Sequence, residues 1–178
     1  MILAIDTGTA TLGWALVSHR GVVHDLGALL LPATRGKTVH DEFERRCARQ
    51  VIELDHLLPG VTLLAAEALS FPRSSKAVAS VSLCWGMLIA MTHLRQVPRF
   101  RVPPKRWQHA LLNTPMRVPI DYTELKRRLL SHILKTAAPA AKSAAGSLSA
   151  AATNHALDAA GIGIYTATIA NTSACRSR

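Results

Sequence analysis

Residues 4–17, AIDTGTATLGWALV, decide the fold, because an acid closes one apolar run and a second apolar run begins a few residues later. The short Thr-Gly-Thr segment between the two runs is typical of a turn that joins neighbouring strands. The turn at His19-Arg20-Gly21 then leads into a third apolar run. The three predicted strands are residues 2–6, 12–18 and 22–31. They form an antiparallel meander, and Asp6 lies at the end of its first strand.

Length and composition predict one globular domain over residues 1–170 and a disordered tail over residues 171–178. The chain has 178 residues, of which 49% are hydrophobic and 18% charged. No segment has the roughly 18 consecutive apolar residues that a membrane span requires. The three cysteines have no metal-ligand spacing, which favours a reducing compartment. With an acid already at position 6 and no basic segment before it, we expect no secretory signal and a cytoplasmic location, in a bacterial or viral host.

The charge balance indicates a polyanionic partner. The chain carries 21 Lys and Arg against 11 Asp and Glu, a formal net charge of +10. Nucleic acid is the first candidate, because each neutralised phosphate releases condensed counterions. An acidic membrane surface is the second candidate, and a basic surface that serves only solubility is the alternative to both.

The remaining chain alternates helices with short strands. Apolar residues three or four apart predict an amphipathic helix after the meander, and a later helix that is apolar nearly all round must be buried in the core or against a partner. We interpret residues 137–152 as a surface linker without firm structure. The other predicted elements are helix 41–58, strand 61–66, helix 74–94, strand 100–102 and helices 105–112, 121–136 and 153–170. This order predicts an α/β fold with a mixed five-stranded sheet, three antiparallel strands and then parallel ones, flanked by helices.

Three acids lie at distinctive points of this frame. Asp6 ends the first strand, Glu67 closes the fourth, and Asp158 follows His155 by three residues on the final helix, so the last two side chains share a helix face. Carboxylates gathered in one cleft repel one another unless a hard divalent cation such as Mg²⁺ neutralises them. Each residue also has a structural explanation: Asp6 as a turn former, Glu67 at the point where a strand leaves the core, and His155 with Asp158 as a local pair.

The same motifs resemble those of the RuvC-type Holliday junction resolvases, in the ribonuclease H-like superfamily. Ile5-Asp6-Thr7-Gly8-Thr9 followed by Gly13-Trp14 is similar to the opening "IDPGT…GW" of that family, with Thr7 in place of the usual Pro. Ala66-Glu67 matches the acid at the end of its fourth strand. Asn154-His155-Ala156-Leu157-Asp158-Ala159 resembles its closing helix motif, and Pro103-Pro104-Lys105-Arg106-Trp107 occupies the place of a Pro-containing stretch. The resemblance covers residues 1 to about 168.

The resemblance implies a homodimeric endonuclease that resolves four-way DNA junctions by paired symmetric nicks. Asp6, Glu67, His155 and Asp158 would be both the catalytic and the metal-binding residues. Two Mg²⁺ ions per site are implied, with Mn²⁺ as the alternative, and such a pair about 4 Å apart activates a water and stabilises the leaving oxygen. The implied partners are a four-way junction or other branched DNA, a second copy of the chain and a branch-migration motor, with no membrane.

Further residues are candidates for DNA contact or dimerisation. Phe71 corresponds, one place late, to a base-stacking aromatic, and a core position is its alternative. Helix 74–94 would contribute to the dimer interface, or else to the core of one subunit. The candidate DNA-binding residues are Phe71, Arg73, Lys76, Lys105, Arg106, Arg117 and Lys126.

Two other functions are compatible with parts of the pattern. A non-catalytic protein with this fold would bind branched DNA through the basic surface without using the acids. An actin-like or sugar-kinase-like ATPase also begins with Asp-x-Gly-Thr after a strand, but it needs a second such domain, and 178 residues leave no room for one.

Overall fold

One mixed sheet of five strands organises the fold. The computed structural model describes residues 1–68 and 75–176, with side chains for residues 1–68 and 82–172. The strands are β1 (Ile2–Asp6), β2 (Thr11–Val17), β3 (Val23–Leu30), β4 (Leu63–Glu67) and β5 (Arg99–Val102). They lie in the order β3-β2-β1-β4-β5, in which β1, β2 and β3 pair antiparallel while β4 and β5 continue parallel to β1. The predicted mixed sheet is confirmed.

Helices cover both faces of this sheet. They are α1 (Val39–Leu57), α2 (Ser75–Leu94), α3 (Pro104–Leu112), α4 (Tyr122–Thr136), α5 (Pro139–Ser147) and α6 (Ala150–Arg176). Helices α1 and α2 pack on one face, and α3 to α6 pack on the other, so the sheet separates two hydrophobic clusters. Within the described ranges, none of the helices combines the length and apolar character that crossing a bilayer requires.

The prediction of a linker over residues 137–152 is wrong, because most of that segment is helix α5. Pro139 stands in the first turn of the helix, where its fixed φ favours helix and its missing N–H costs nothing. The alanines that follow are the best helix formers. Ala141 and Ala145, four residues apart, are buried against the core. The low-complexity composition of this segment is also typical of linkers, and its only helical signal is a narrow apolar stripe formed by Ala141 and Ala145.

The end of the chain also differs from the predicted tail. Helix α6 runs from Ala150 through Arg176, three residues before and six beyond the predicted helix 153–170. The side-chain amide of Asn171 donates a hydrogen bond to the carbonyl of His19, at 2.8 Å. The helix therefore continues through residues 171–176, and Asn171 ties the start of this segment to the turn between β2 and β3.

Alternation along β1 and β4 determines where their terminal acids lie. Ile2 and Ala4 belong to the cluster beneath α3 to α6, whereas Leu3 and Ile5 belong to the opposite cluster. Because successive side chains of a strand point to opposite faces, Asp6 falls on the α6 face. The same holds for Glu67, since Ala65 lies on that face and Ala66 on the other. Ile5 pairs with Ala66 in parallel register, so the two acids leave the sheet side by side.

Glycines allow α6 to lie directly on the sheet. An ideal Cβ built on Gly13 of β2 would stand 2.2 Å from the carbonyl oxygen of His155. A Cβ on Gly163 would stand 2.5 Å from Cγ2 of Val17. Neither position has room for any side chain. Gly13 makes the closer approach of the two.

Candidate functional site

Two adjacent strand ends and one helix form the candidate site. Asp6 ends β1, Glu67 ends β4, and both project toward the face that α6 covers. His155 and Asp158 lie three residues apart on the sheet-facing side of α6, near its N-terminal end. All four residues that the sequence predicted as catalytic are partly buried, and they interact with one another as described below.

Asp6 and His155 form a direct pair. Nδ1 of His155 lies 2.6 Å from Oδ2 of Asp6, whose side chain is 14% exposed. The hydrogen bond to Asp6 raises the pKa of the His155 imidazole above its ordinary value, and the charge of Asp158 adds to this. Burial and the nearby Lys126 oppose the rise. The pair therefore favours a protonated imidazole that donates to the Asp6 carboxylate.

Asp158 is paired with a lysine from a different helix. Nζ of Lys126 on α4 lies 2.5 Å from Oδ2 of Asp158, and it also donates to the carbonyl of Asn154 at 2.5 Å. Burial raises the pKa of the Asp158 carboxyl, while the lysine opposes the rise. Lys126, predicted as a phosphate contact, thus lies inside the acidic cluster.

Glu67 experiences the strongest perturbation. Burial, together with the negative charges of Asp6 and Asp158, raises the pKa of the Glu67 carboxyl to about 7. The indole N–H of Trp107 donates to Oε1 of Glu67 at 3.0 Å and opposes that rise. Three carboxyl groups are therefore close enough to influence one another's ionisation, in a place where burial already disfavours charge.

The chemistry of this donor set fits a divalent cation. Carboxylate oxygens and an imidazole nitrogen are ligands of Mg²⁺ and Mn²⁺ type ions, and a cation would relieve the repulsion among the acids. Among the described residues, no three His, Cys, Asp or Glu side chains stand together as a ready ligand group. Asp6 is instead paired with His155, and Asp158 with Lys126.

Three of the other predicted DNA-binding residues are exposed in the described part of the chain. Lys105 and Arg106 are exposed in the first turn of α3, and Arg117 is exposed in the connection between α3 and α4. Phe71 and Arg73 lie outside the described residues. Lys76 belongs to α2, and its side chain is likewise outside the described part of the chain.

Sequence reasoning missed several groups that support the acids. In the sequence, Trp107 belongs to the Pro-containing motif, and Trp85 lies within the predicted apolar helix 74–94. The indole N–H of Trp85 donates to the backbone carbonyl of Glu67 at 3.1 Å. Gln50, fully buried on α1, donates through Nε2 to the carbonyls of Gly8 at 2.7 Å and Thr9 at 3.3 Å. The amide thereby holds the turn after Asp6. A polar residue on the buried stripe of a predicted helix was the available signal.

Solved structures share this fold. Thermus thermophilus RuvC in complex with a Holliday junction substrate has a TM-score of 0.66 at 19% sequence identity, over 96% of this chain and 95% of that one. A second structure of Thermus thermophilus RuvC gives a TM-score of 0.65 at 20% identity, over 97% and 96% of the two chains. The yeast mitochondrial Holliday junction resolvase Ydc2 gives 0.62 at 15% identity, over 92% of this chain and 75% of that one.

Comparisons at the level of sequence give no match. No protein-family model matches the chain, and no curated protein is similar to it in sequence. The structural similarity shows the fold, a ribonuclease H-like arrangement with the mixed sheet described above.

Proposed function

We propose that this chain is a RuvC-type Holliday junction resolvase, a metal-dependent endonuclease that cuts four-way DNA junctions by paired symmetric nicks. One observation carries the proposal: Asp6, Glu67, His155 and Asp158, far apart in sequence, interact at one sheet edge. The fold around them is the one found in two kinds of junction resolvase. The motifs that suggested this family in the sequence contain these same four residues.

The four site residues have distinct roles in the proposed reaction. Asp6, Glu67 and Asp158 would hold two Mg²⁺ ions, with Mn²⁺ as the alternative, and His155 would supply a nitrogen ligand. Such ions would supply a water of lowered pKa as the nucleophile and would neutralise the charge on the leaving oxygen. Asp6 and Glu67 are held at strand ends and Asp158 on helix α6, so little backbone rearrangement would be needed when the substrate arrives.

His155 must change its protonation state before it can bind a metal. Metal ligation requires a neutral imidazole, whereas the contact with Asp6 raises its pKa and favours the protonated form. Metal binding would require loss of the proton on Nε2 of His155, while Nδ1–H would still donate to Asp6 across the 2.6 Å contact. Nζ of Lys126 lies 2.5 Å from Oδ2 of Asp158, so a cation would bind the other oxygen of that carboxylate or displace the ammonium.

Exposed basic side chains would bind the DNA arms. Lys105, Arg106 and Arg117 are exposed, and the net charge of +10 gives the chain a long-range attraction for phosphate. We assign these three to backbone contacts, which position the duplex without reading its sequence. Phe71, Arg73 and Lys76 remain DNA-contact candidates on the resemblance alone.

A second copy of the chain would pack against helices α1 and α2. Their outer side forms an apolar groove lined by Phe43, Cys47, Val51, Leu83 and Met87. Leu83 is 47% exposed and Val51 is 36% exposed, so the face lies uncovered in one subunit. A two-fold dimer through this face would give two active sites for the two strands that are cut.

The proposal is tested with a synthetic four-way junction and Mg²⁺. The parent chain should introduce paired nicks near the crossover, and Asp6→Asn should bind the junction without nicking it. Asp55→Asn is the matched control, because Asp55 is an exposed acid paired with Arg95 on the surface. Equal cleavage by the parent and Asp6→Asn would refute the role of the acids. Junction binding without cleavage by every form, the parent included, would instead support the non-catalytic DNA-binding alternative.

A further inference from the structure

Two tryptophans hold Glu67 from opposite sides of the sheet. The indole N–H of Trp107 donates to the carboxylate Oε1 at 3.0 Å, and the indole N–H of Trp85 donates to the backbone carbonyl at 3.1 Å. Trp107 belongs to the cluster beneath α3 to α6, whereas Trp85 belongs to the cluster beneath α1 and α2. Backbone and side chain of the same acid are thus fixed independently.

Trp107 can hold the carboxylate in one orientation because the ring itself cannot move. Its side chain is 1% exposed and is among the largest fully buried side chains in the described chain. A buried indole N–H needs an acceptor, and Oε1 of Glu67 supplies it. The terminal torsion of a glutamate is otherwise broad, so one fixed oxygen also fixes the direction of the other.

Helix α6 has a glycine, Gly161, where it contacts the Trp107 ring. An ideal Cβ on Gly161 would stand 2.6 Å from Cζ3 and 3.0 Å from Cε3 of Trp107. Gly161 lies three residues after Asp158 on α6. The helix that supplies Asp158 therefore also fits closely around the indole that orients Glu67.

We propose that Trp107 is a positioning residue: its indole N–H engages one oxygen of Glu67 and directs the other oxygen into the divalent-cation site. This inference rests on the proposed function, because it presupposes that Glu67 is a metal ligand. Partners of this kind, which bind the ligand and not the metal, typically change metal affinity by about 10- to 100-fold when removed.

The first test is Trp107→Phe, which keeps an aromatic ring in the core and removes the donor. Mn²⁺ binding, measured by electron paramagnetic resonance without DNA, should weaken by roughly 10- to 100-fold. Trp14→Phe is the matched control. It removes an indole N–H in the same way, but Trp14 lies on β2 with its ring packed against Gly27. Mn²⁺ affinity of Trp107→Phe equal to that of Trp14→Phe would overturn the inference.

The second test uses the native protein, so it does not depend on the folding of a variant. In ¹⁵N-labelled protein, the indole N–H resonance of Trp107 should shift as Mg²⁺ is added, because Glu67, which accepts its hydrogen bond, becomes a metal ligand. The midpoint of this shift should equal the midpoint of metal binding. The resonance of Trp14 should stay in place. A Trp107 resonance that does not move at saturating Mg²⁺ would refute the positioning role.

Asp6→Asn separates failure of this inference from failure of the proposed function. If parent and Asp6→Asn bind Mn²⁺ equally weakly, the metal site itself is wrong, and the inference falls with it. If Asp6→Asn abolishes binding that Trp107→Phe leaves intact, the metal site stands and only the role of Trp107 is refuted.

Discussion

Gly13→Ala tests the packing between β2 and α6. The new Cβ would stand 2.2 Å from the carbonyl oxygen and 2.5 Å from the carbonyl carbon of His155, and an ordinary contact begins near 3.4 Å. Because both neighbours are backbone atoms, no side-chain rotation can relieve the clash. Strand and helix must separate by about 1 Å at the residue that carries the imidazole paired with Asp6.

The expected loss has two parts. Overpacking of this kind costs about 1–3 kcal/mol in the free energy of unfolding. A displacement of about 1 Å in a catalytic group costs on the order of 100-fold in rate. Stability is measured by urea unfolding, and activity by single-turnover cleavage of a four-way junction at saturating protein.

Gly146→Ala is the matched control for this substitution. Gly146 lies on α5, and an ideal Cβ there meets nothing within 4 Å. Alanine in an exposed helix should stabilise the protein by about 0.5–1 kcal/mol, with cleavage unchanged. If Gly13→Ala behaves like Gly146→Ala in both assays, α6 does not rest on β2 as described, and the explanation of this glycine is wrong.

Three further predictions follow from charged groups. Lys126→Met should bind Mn²⁺ more tightly than the parent in a paramagnetic resonance titration, because the ammonium 2.5 Å from Asp158 no longer competes for the carboxylate; weaker binding would contradict this. The pKa of Glu42 is lowered to about 2, chiefly by hydrogen bonds from Arg45. Ionised Glu42 therefore contributes its full stabilisation above its ordinary pKa of 4.5, and this contribution is lost as the pH falls toward 2. Acid unfolding followed by circular dichroism should therefore show a smaller loss of stability below pH 4.5 for Glu42→Gln, and an unchanged profile would refute it. Lys105→Ala should reduce the slope of log K against log salt for junction binding by about 1, and an equal slope would remove Lys105 from the phosphate contacts.

The sequence predicted the five strands, the mixed sheet and the positions of Asp6 and Glu67 at strand ends, because these depend on short-range patterns. Alternating apolar runs define strands, and the carboxyl ends of neighbouring parallel strands lie at one edge of a sheet. The i, i+3 spacing of His155 and Asp158 likewise fixes one helix face. These signals are local in the sequence, so they can be interpreted without knowledge of the rest of the fold.

Other parts of the site depend on how distant elements cross. The pairing of Lys126 with Asp158 requires α4 to pass beside the start of α6, and no pattern within α4 indicates that crossing. The contact between Trp107 and Glu67 joins residues 40 positions apart in the sequence. Helix α5 was missed because alanine and serine repeats are also typical of linkers, and only tertiary contacts distinguish the two.

The backbone contact between Gly13 and His155 has a consequence for ion selectivity. Two of the proposed ligands belong to one helix that lies against the sheet without intervening side chains, so their distance from Asp6 is set by main-chain atoms. A cavity of fixed width cannot expand around a large ion. We expect such a centre to accept ions of small radius and strict octahedral preference, and to reject Ca²⁺, which needs longer bonds and more ligands.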